Sequence, residues 1–377
     1  MAHMVGTEKY IITAKELHVD IFNYLDHKTI DIAVKNKPNE RDSISDIALS
    51  NDGKQLAVIT LTSKKLLVYD LQLTKPQKEY NVPRSASRIR FTVDDSKLLV
   101  ADKSGDVLIY DITTDSSGTK ILGHLSLLLD VLQTNDSRYI ISSDRDEKIR
   151  VSCYPNTYNI QTYCLGHKEF VNHIELLPHN DKYLTSTSGD GTVKIWNYID
   201  GKLHHTIDTS VDITDDQLKQ NFLNIMDEGG IEVSNLPIVH YSTSSISDNF
   251  SVLALTVHSC NAVLIYSLSN NDNKFSHRLE HKIILENFPS AMKLHNNSIF
   301  VYDDTERYVL IYKLIYNNEN VTVETHSKER MFESKEDTDT ENKETQLEAI
   351  KVLYKRKFDN VQEYQERKKQ RLEKSSK

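Results

Sequence analysis

Five consecutive charged residues, Asp144, Arg145, Asp146, Glu147 and Lys148, stand directly before a short apolar strand that carries Arg150. Carboxylates and cations at this density can transfer protons in a site or pair ions across a surface. Proton transfer needs a constellation around it, and the chain lacks the recognisable ones. Its 11 glycines include one adjacent pair, Gly229 and Gly230, so no glycine-rich turn after a strand can admit a nucleotide or cofactor phosphate. The 15 histidines contain no HExxH pair, and with Cys153, Cys164 and Cys260 they form no set of metal-ligand spacing. G-x-S-x-G is absent. Most other Asp residues fall in turns, where they bond local backbone. No catalytic residue and no metal ligand are assigned, and ion pairing is the chemistry that is left.

On a strand, Lys148, Arg150 and Ser152 share one face, and Ile149, Val151 and Cys153 share the other. The apolar set is expected to pack inward and the charged set to face out. Two readings stand: a solvated face, or an interface in which basic residues beside Tyr154 and Tyr158 act as anchors.

The elements that position this run repeat along the chain. A short apolar strand begins at Leu17, Leu66, Val107, Ile149, Val193, Val263 and Val309, at intervals of 49, 41, 42, 44, 70 and 46 residues. Most copies follow an apolar segment and a turn rich in Asp, Ser, Asn and Gly, which is a hairpin signature. A period near 40–45 residues is that of a four-stranded propeller blade. One blade cannot bury both its faces, whereas a ring of blades can. Seven copies predict an all-β, seven-bladed WD-repeat β-propeller with a C-terminal helical tail. It is expected over 4–326, with an insertion at about 208–235 that holds a short helix. Asn318 to Glu324 (NENVTVE) reads as a last strand that closes the ring against N-terminal strands. Met1-Ala2-His3 reads as a cloning remnant outside the fold.

Around Trp196 the repeat is most complete. His167, a hydroxyl among Thr185 to Ser188, Asp190 and Trp196 have the spacing of a hydrogen-bonded tetrad that satisfies polar groups between blade and loop, a structural role. The preceding blade has His124 but Ser152 in place of Trp, so its tetrad is incomplete.

The net charge of −9 disfavours a chain coated in nucleic-acid-binding surface, and no apolar run reaches the roughly 18 residues of a membrane span. Residues 327–345 are acidic and polar, and read as a disordered linker. Over 346–377 a helical period (Leu347, Ile350, Tyr354, Phe358, Val361) runs into basic clusters that include Lys355, Arg356, Lys357, Arg367, Lys368 and Lys369. This tail is either a solvated helix or a docking helix whose basic end contacts RNA or serves nuclear import, which would place the chain in the nucleus.

The run SDRDEKIRVSCYP followed by LGHKEFV, together with ADKSGDV, ILGHLSLLLDV and LYKRKFDNVQEY, closely resembles the WD-repeat, non-catalytic subunit of the eukaryotic tRNA (guanine-N7-)-methyltransferase. The resemblance implies a division of labour. A separate subunit binds S-adenosylmethionine and methylates the variable-loop guanine of tRNA, and the propeller holds that subunit in its active form. This chain would then carry no cofactor and would meet tRNA mainly through the complex. By the same resemblance the partner interface falls on Arg145, Asp146, Glu147, Lys148 and Arg150, with His167, Lys168 and Phe170 on the adjoining blade. The alternatives are a general WD-repeat scaffold unrelated to tRNA modification, a propeller enzyme, or a direct RNA reader.

Overall fold

Every one of the seven apolar repeats is the third strand of a four-stranded antiparallel sheet in a computed structural model of the chain, which describes residues 2–7, 9–23, 26–32, 41–72, 75–271, 274–317, 320–330 and 343–355. The sheets are blades 1 to 7, over 3–31, 44–81, 86–123, 128–164, 171–208, 238–284 and 291–330, with strands in chain order within each. Where a repeat is apolar on both faces, the blade is covered on both. In the third strand of blade 2, Leu66, Leu67, Val68 and Tyr69 are all buried. The all-β, seven-bladed propeller read from the period is the fold.

Carboxylates on the innermost strands brace neighbouring blades. Asp130, wholly buried in blade 4, accepts from Arg90 Nε and Nη2 of blade 3 at 3.1 and 2.7 Å and from the Ile174 amide of blade 5 at 3.0 Å. Asp46 of blade 2 accepts from the Ile89 amide of blade 3 at 2.8 Å in the same way. Burial alone would raise the Asp130 carboxyl, but Arg90, then Arg88 and His173, outweigh it and hold it far below the usual carboxylate range. Asp46, Arg88, Arg90 and His173 line a central cavity of about 810 Å³.

Ring closure differs from the expectation. Strand Asn320–Arg330 pairs only with Tyr308–Asn317 inside blade 7, and no strand pairing among the described residues crosses from one blade to another. Among the described residues, closure is made by packing and an ion pair instead. Ala2 and Ile11 of the N-terminal segment bury against Ala291, Phe300, Tyr302, Val309 and Ile311, and Lys15 Nζ meets Asp304 Oδ2 at 2.7 Å. Ala2 is therefore part of the core, and His3–Gly6 is the innermost strand of blade 1, so these residues are not outside the fold. The linker drawn over 327–345 also narrows, since 327–330 complete the last strand and a helix begins at Lys343.

Between blades 5 and 6, helix α1 (Asp216–Glu228) starts where the Asp215 carboxylate accepts from the Leu218 amide at 2.9 Å, a side-chain N-cap. Phe222 and Met226, one turn apart, bury into a cluster that also takes Ile238 and Leu255 of blade 6. Helix α2 (Lys343–Lys351) adds Ile350 and, just beyond its end, Tyr354 to the same cluster.

Candidate interaction face around the charged turn

Strands Tyr139–Asp144 and Ile149–Cys153 of blade 4 are joined by the charged run, which is a tight turn. Asp144 Oδ1 accepts from the Asp146 and Lys148 amides at 2.9 and 3.0 Å and so supports it from below. Glu147 sits at φ 64°, where the matching positions of blades 3 and 5 have Gly105 (φ 99°) and Gly191 (φ 76°). A side chain there costs on the order of 1 kcal/mol that glycine avoids. Lys64 takes the same conformation at the matching position of blade 2 (φ 55°), so the turn form is not confined to glycine.

The tetrad beside it closes at 2.7–2.9 Å. His167 Nδ1 meets Asp190 Oδ2 at 2.9 Å, its Nε2 meets Ser186 Oγ at 2.7 Å, and Trp196 Nε1 donates to the same Oγ at 2.8 Å. Asp190 can only accept, so Nδ1 carries the proton and Ser186 donates to Nε2. Ser186 is thus the hydroxyl that the sequence left open. Burial lowers the His167 pKa and keeps the ring neutral, although Asp190 pulls the other way.

Blade 4 builds the equivalent from other parts. His124 meets Asp144 Oδ2 and Ser142 Oγ, each at 2.8 Å. Ser152 occupies the Trp position, pairing Ile140 as Trp196 pairs Leu184. Arg150 completes the arrangement. Its Nε donates to Ser152 Oγ at 2.9 Å, Nη1 to the Gly123 carbonyl at 3.1 Å and Nη2 to the Thr157 carbonyl at 3.0 Å. The side chain expected to face out is therefore turned into the fold, where its guanidinium supplies donors to one hydroxyl and two carbonyl oxygens. Arg150→Leu is expected to lower the unfolding midpoint by several degrees, consistent with stranding three acceptors at about 1 kcal/mol or more each. A thermal melt of the isolated chain checks this.

The other predicted contact residues divide. His167 and Phe170 are buried, which corrects their assignment as partner contacts. Phe170 lies edge-on under the Tyr354 ring at 4.9 Å, and Tyr354 Oη donates to the Gly189 carbonyl at 2.8 Å. Glu147 is ion-paired with Lys355, so Lys355 belongs to this site and is not a free tail cation. Arg145 and Asp146 are half-buried and 3.9 Å apart. Lys148 and Lys168 are exposed, with no ion pair described for either side chain. Arg356, Lys357, Arg367, Lys368 and Lys369 lie outside the described residues.

Two apolar side chains on this face escaped the sequence reading. Leu125, next to His124, is 107% exposed, and Leu165, just before Gly166, is 62% exposed. The His124–Asp144 bond and the Ile149–Cys164 pairing place them on either side of the charged turn. The available signal was an apolar residue in a loop, adjacent to a buried tetrad histidine or one residue from it.

Glu169, half-buried between these parts, is pushed up to about 7, first by burial and then by the Glu147 and Asp190 carboxylates, against the pull of Lys355. A carboxyl raised in the folded state contributes stability that is fully present below its free value near 4.5 and is lost as pH rises through about 7. The stability of the folded chain, read by urea titration at each pH, is therefore expected to fall between about pH 5 and 7. Glu169→Gln should flatten that change.

Fold and site together define a WD-repeat propeller with a polar tetrad and one exposed cationic-apolar face. Among solved structures, the WD40 repeats of RRP9 superpose with a TM-score of 0.62 at 17% identity, covering 79% of this chain and 86% of that one. The structure of U3-55K gives 0.61 at 16%, over 79% and 86%, and these likenesses show the fold. The family described as tRNA methyltransferase TRM82 WD40 domain matches residues 13–120 and 113–308, and the chain belongs to it. A relative from Drosophila ananassae, named tRNA (guanine-N(7)-)-methyltransferase non-catalytic subunit wuho, is 31% identical over 341 residues, 88% of this chain and 77% of its own. The relative of the same name from Drosophila willistoni is 44% identical over 163 residues, which spans 42% of this chain and 38% of the relative.

Proposed function

We propose that this chain is the non-catalytic subunit of a tRNA (guanine-N7-)-methyltransferase. It binds and stabilises a separate, S-adenosylmethionine-dependent catalytic subunit as a heterodimer and is required for N7-methylguanosine formation in the tRNA variable loop. The observation that carries the reading, beside family membership, is the face around the charged turn. On a chain of net charge −9, Lys148 and Lys168 are exposed without a described ion pair, next to Leu125 and Leu165 standing in solvent. Apolar tips flanked by cations suit a protein element with an apolar stripe and acidic edges, whereas a phosphate backbone would be met by cations alone.

The mechanism is linkage. A propeller that binds only the ordered form of the catalytic subunit raises the population of that form by the difference in binding energy. Cofactor and substrate chemistry belong to the partner, and tRNA is met through the complex. The basic clusters beyond Lys355 add an RNA contact or a nuclear import signal, and the nucleus is the compartment this implies. Titration of the purified chain with the catalytic subunit tests the reading. A 1:1 complex is expected, with only weak binding of tRNA by this chain alone. Tight, steeply salt-dependent tRNA binding without the subunit would instead make it a direct RNA reader.

A further inference from the structure

The charged turn is not finished by the propeller alone. Its crest, Glu147, holds a left-handed backbone conformation without glycine and is paired with Lys355, 208 residues further along the chain. One residue earlier Tyr354, 3% exposed, is bonded to the Gly189 carbonyl and stacked edge-on against Phe170. Gly189 is needed there, since a Cβ would stand 2.4 Å from the Phe170 ring. Ile350 and Leu353 reach the wall of the central cavity. The C-terminal segment therefore ties the turn of blade 4 to the turn of blade 5.

On the functional reading above, we propose that residues 343–355 are a strap that holds the 144–148 turn in its partner-binding form, with Tyr354 and Lys355 as positioning residues of the subunit interface. The physical reason is pre-organisation. A crest side chain released from Lys355 gains conformational freedom, and ordering it again is subtracted from the binding energy. Tyr354 supplies the anchor by burial and a hydrogen bond, and Lys355 transmits it to Glu147 by charge. The cations left for the partner, Lys148 and Lys168, are both exposed.

The full-length chain carrying Lys355→Glu, Glu147→Lys, or both is compared with the unaltered chain by titration with the catalytic subunit. Each single reversal is expected to raise Kd about tenfold, and the double swap to return it to within about twofold, with the unfolding midpoint unchanged throughout. Single variants that bind as tightly as the unaltered chain would overturn the strap. A double swap weaker than either single would also overturn it, by showing that Lys355 touches the partner directly. Hydrogen exchange over 144–148 in the free chain gives a readout that needs no partner. It should quicken in each single variant and recover in the swap, and no change would again overturn the proposal. If the unaltered chain fails to bind the catalytic subunit while exchange behaves as stated, the functional reading fails and the strap stands as a purely internal device.

Discussion

Asp130→Ala is expected to destabilise the propeller by about 3–5 kcal/mol, the cost of leaving a partly buried guanidinium without its carboxylate. Asp130 has 0% side-chain exposure and binds Arg90 through both oxygens, so Arg90 would lose its paired charge while still facing the cavity wall. Two backbone amides, of Val131 and Ile174, would lose their acceptor as well. Blades 3, 4 and 5 meet at this one carboxylate, so the loss is read by the whole ring and not by one loop. A denaturant titration monitored at Trp196 measures it, and a loss below about 1 kcal/mol would show that water replaces the carboxylate at little cost. The acid limb offers a second check. A carboxylate held below its unfolded value near 3.8 stabilises the fold above that pH and gives the contribution up as pH falls further. The variant should therefore lack part of the stability loss that the unaltered chain shows below about pH 4.

Lys148→Glu combined with Lys168→Glu is expected to weaken the complex with the catalytic subunit about 100-fold, roughly 2.7 kcal/mol, and leave the propeller's stability unchanged. Both side chains are exposed, and no ion pair is described for either, so their reversal costs the free chain nothing it uses. The loss should appear largely in the association rate and shrink as salt rises, because rim charges steer encounter more than they hold the bound state. Leu125→Ser should instead raise the dissociation rate, since a fully exposed leucine contributes only once it is covered. Surface plasmon resonance at two ionic strengths separates the two. Unaltered binding in the lysine double variant would move the interface to another face.

The fold was legible because its signals are local. In blades 2, 3, 6 and 7 the third strand carries four or more consecutive apolar residues, and in blades 1, 4 and 5 apolar residues interleaved with polar ones, each in a short segment that recurs along the chain. Three of the four tetrad members, His167, Asp190 and Trp196, were legible for the same reason, but the choice of Ser186 depended on strand register, which places it opposite Lys194 and within reach of His167. The site was less legible because its bonds are long-range. Arg150 alternates with apolar neighbours as an outward residue should, yet its acceptors lie on Gly123 and Thr157, 27 and 7 residues away. Phe170 and Glu147 carry no local mark of being covered, and what covers them arrives 165 to 208 residues from the elements it meets. Alternation along a strand tells inside from outside only until another part of the chain folds over the face.

The central claim is that this chain supplies no chemistry of its own and makes a partner competent. A guanine-N7 methylation assay on tRNA, run with this chain alone, the catalytic subunit alone and the two together at limiting concentration, tests it most directly. The account predicts activity that depends on both proteins, with no product from this chain alone. Product from this chain alone, or no gain on mixing, would contradict it.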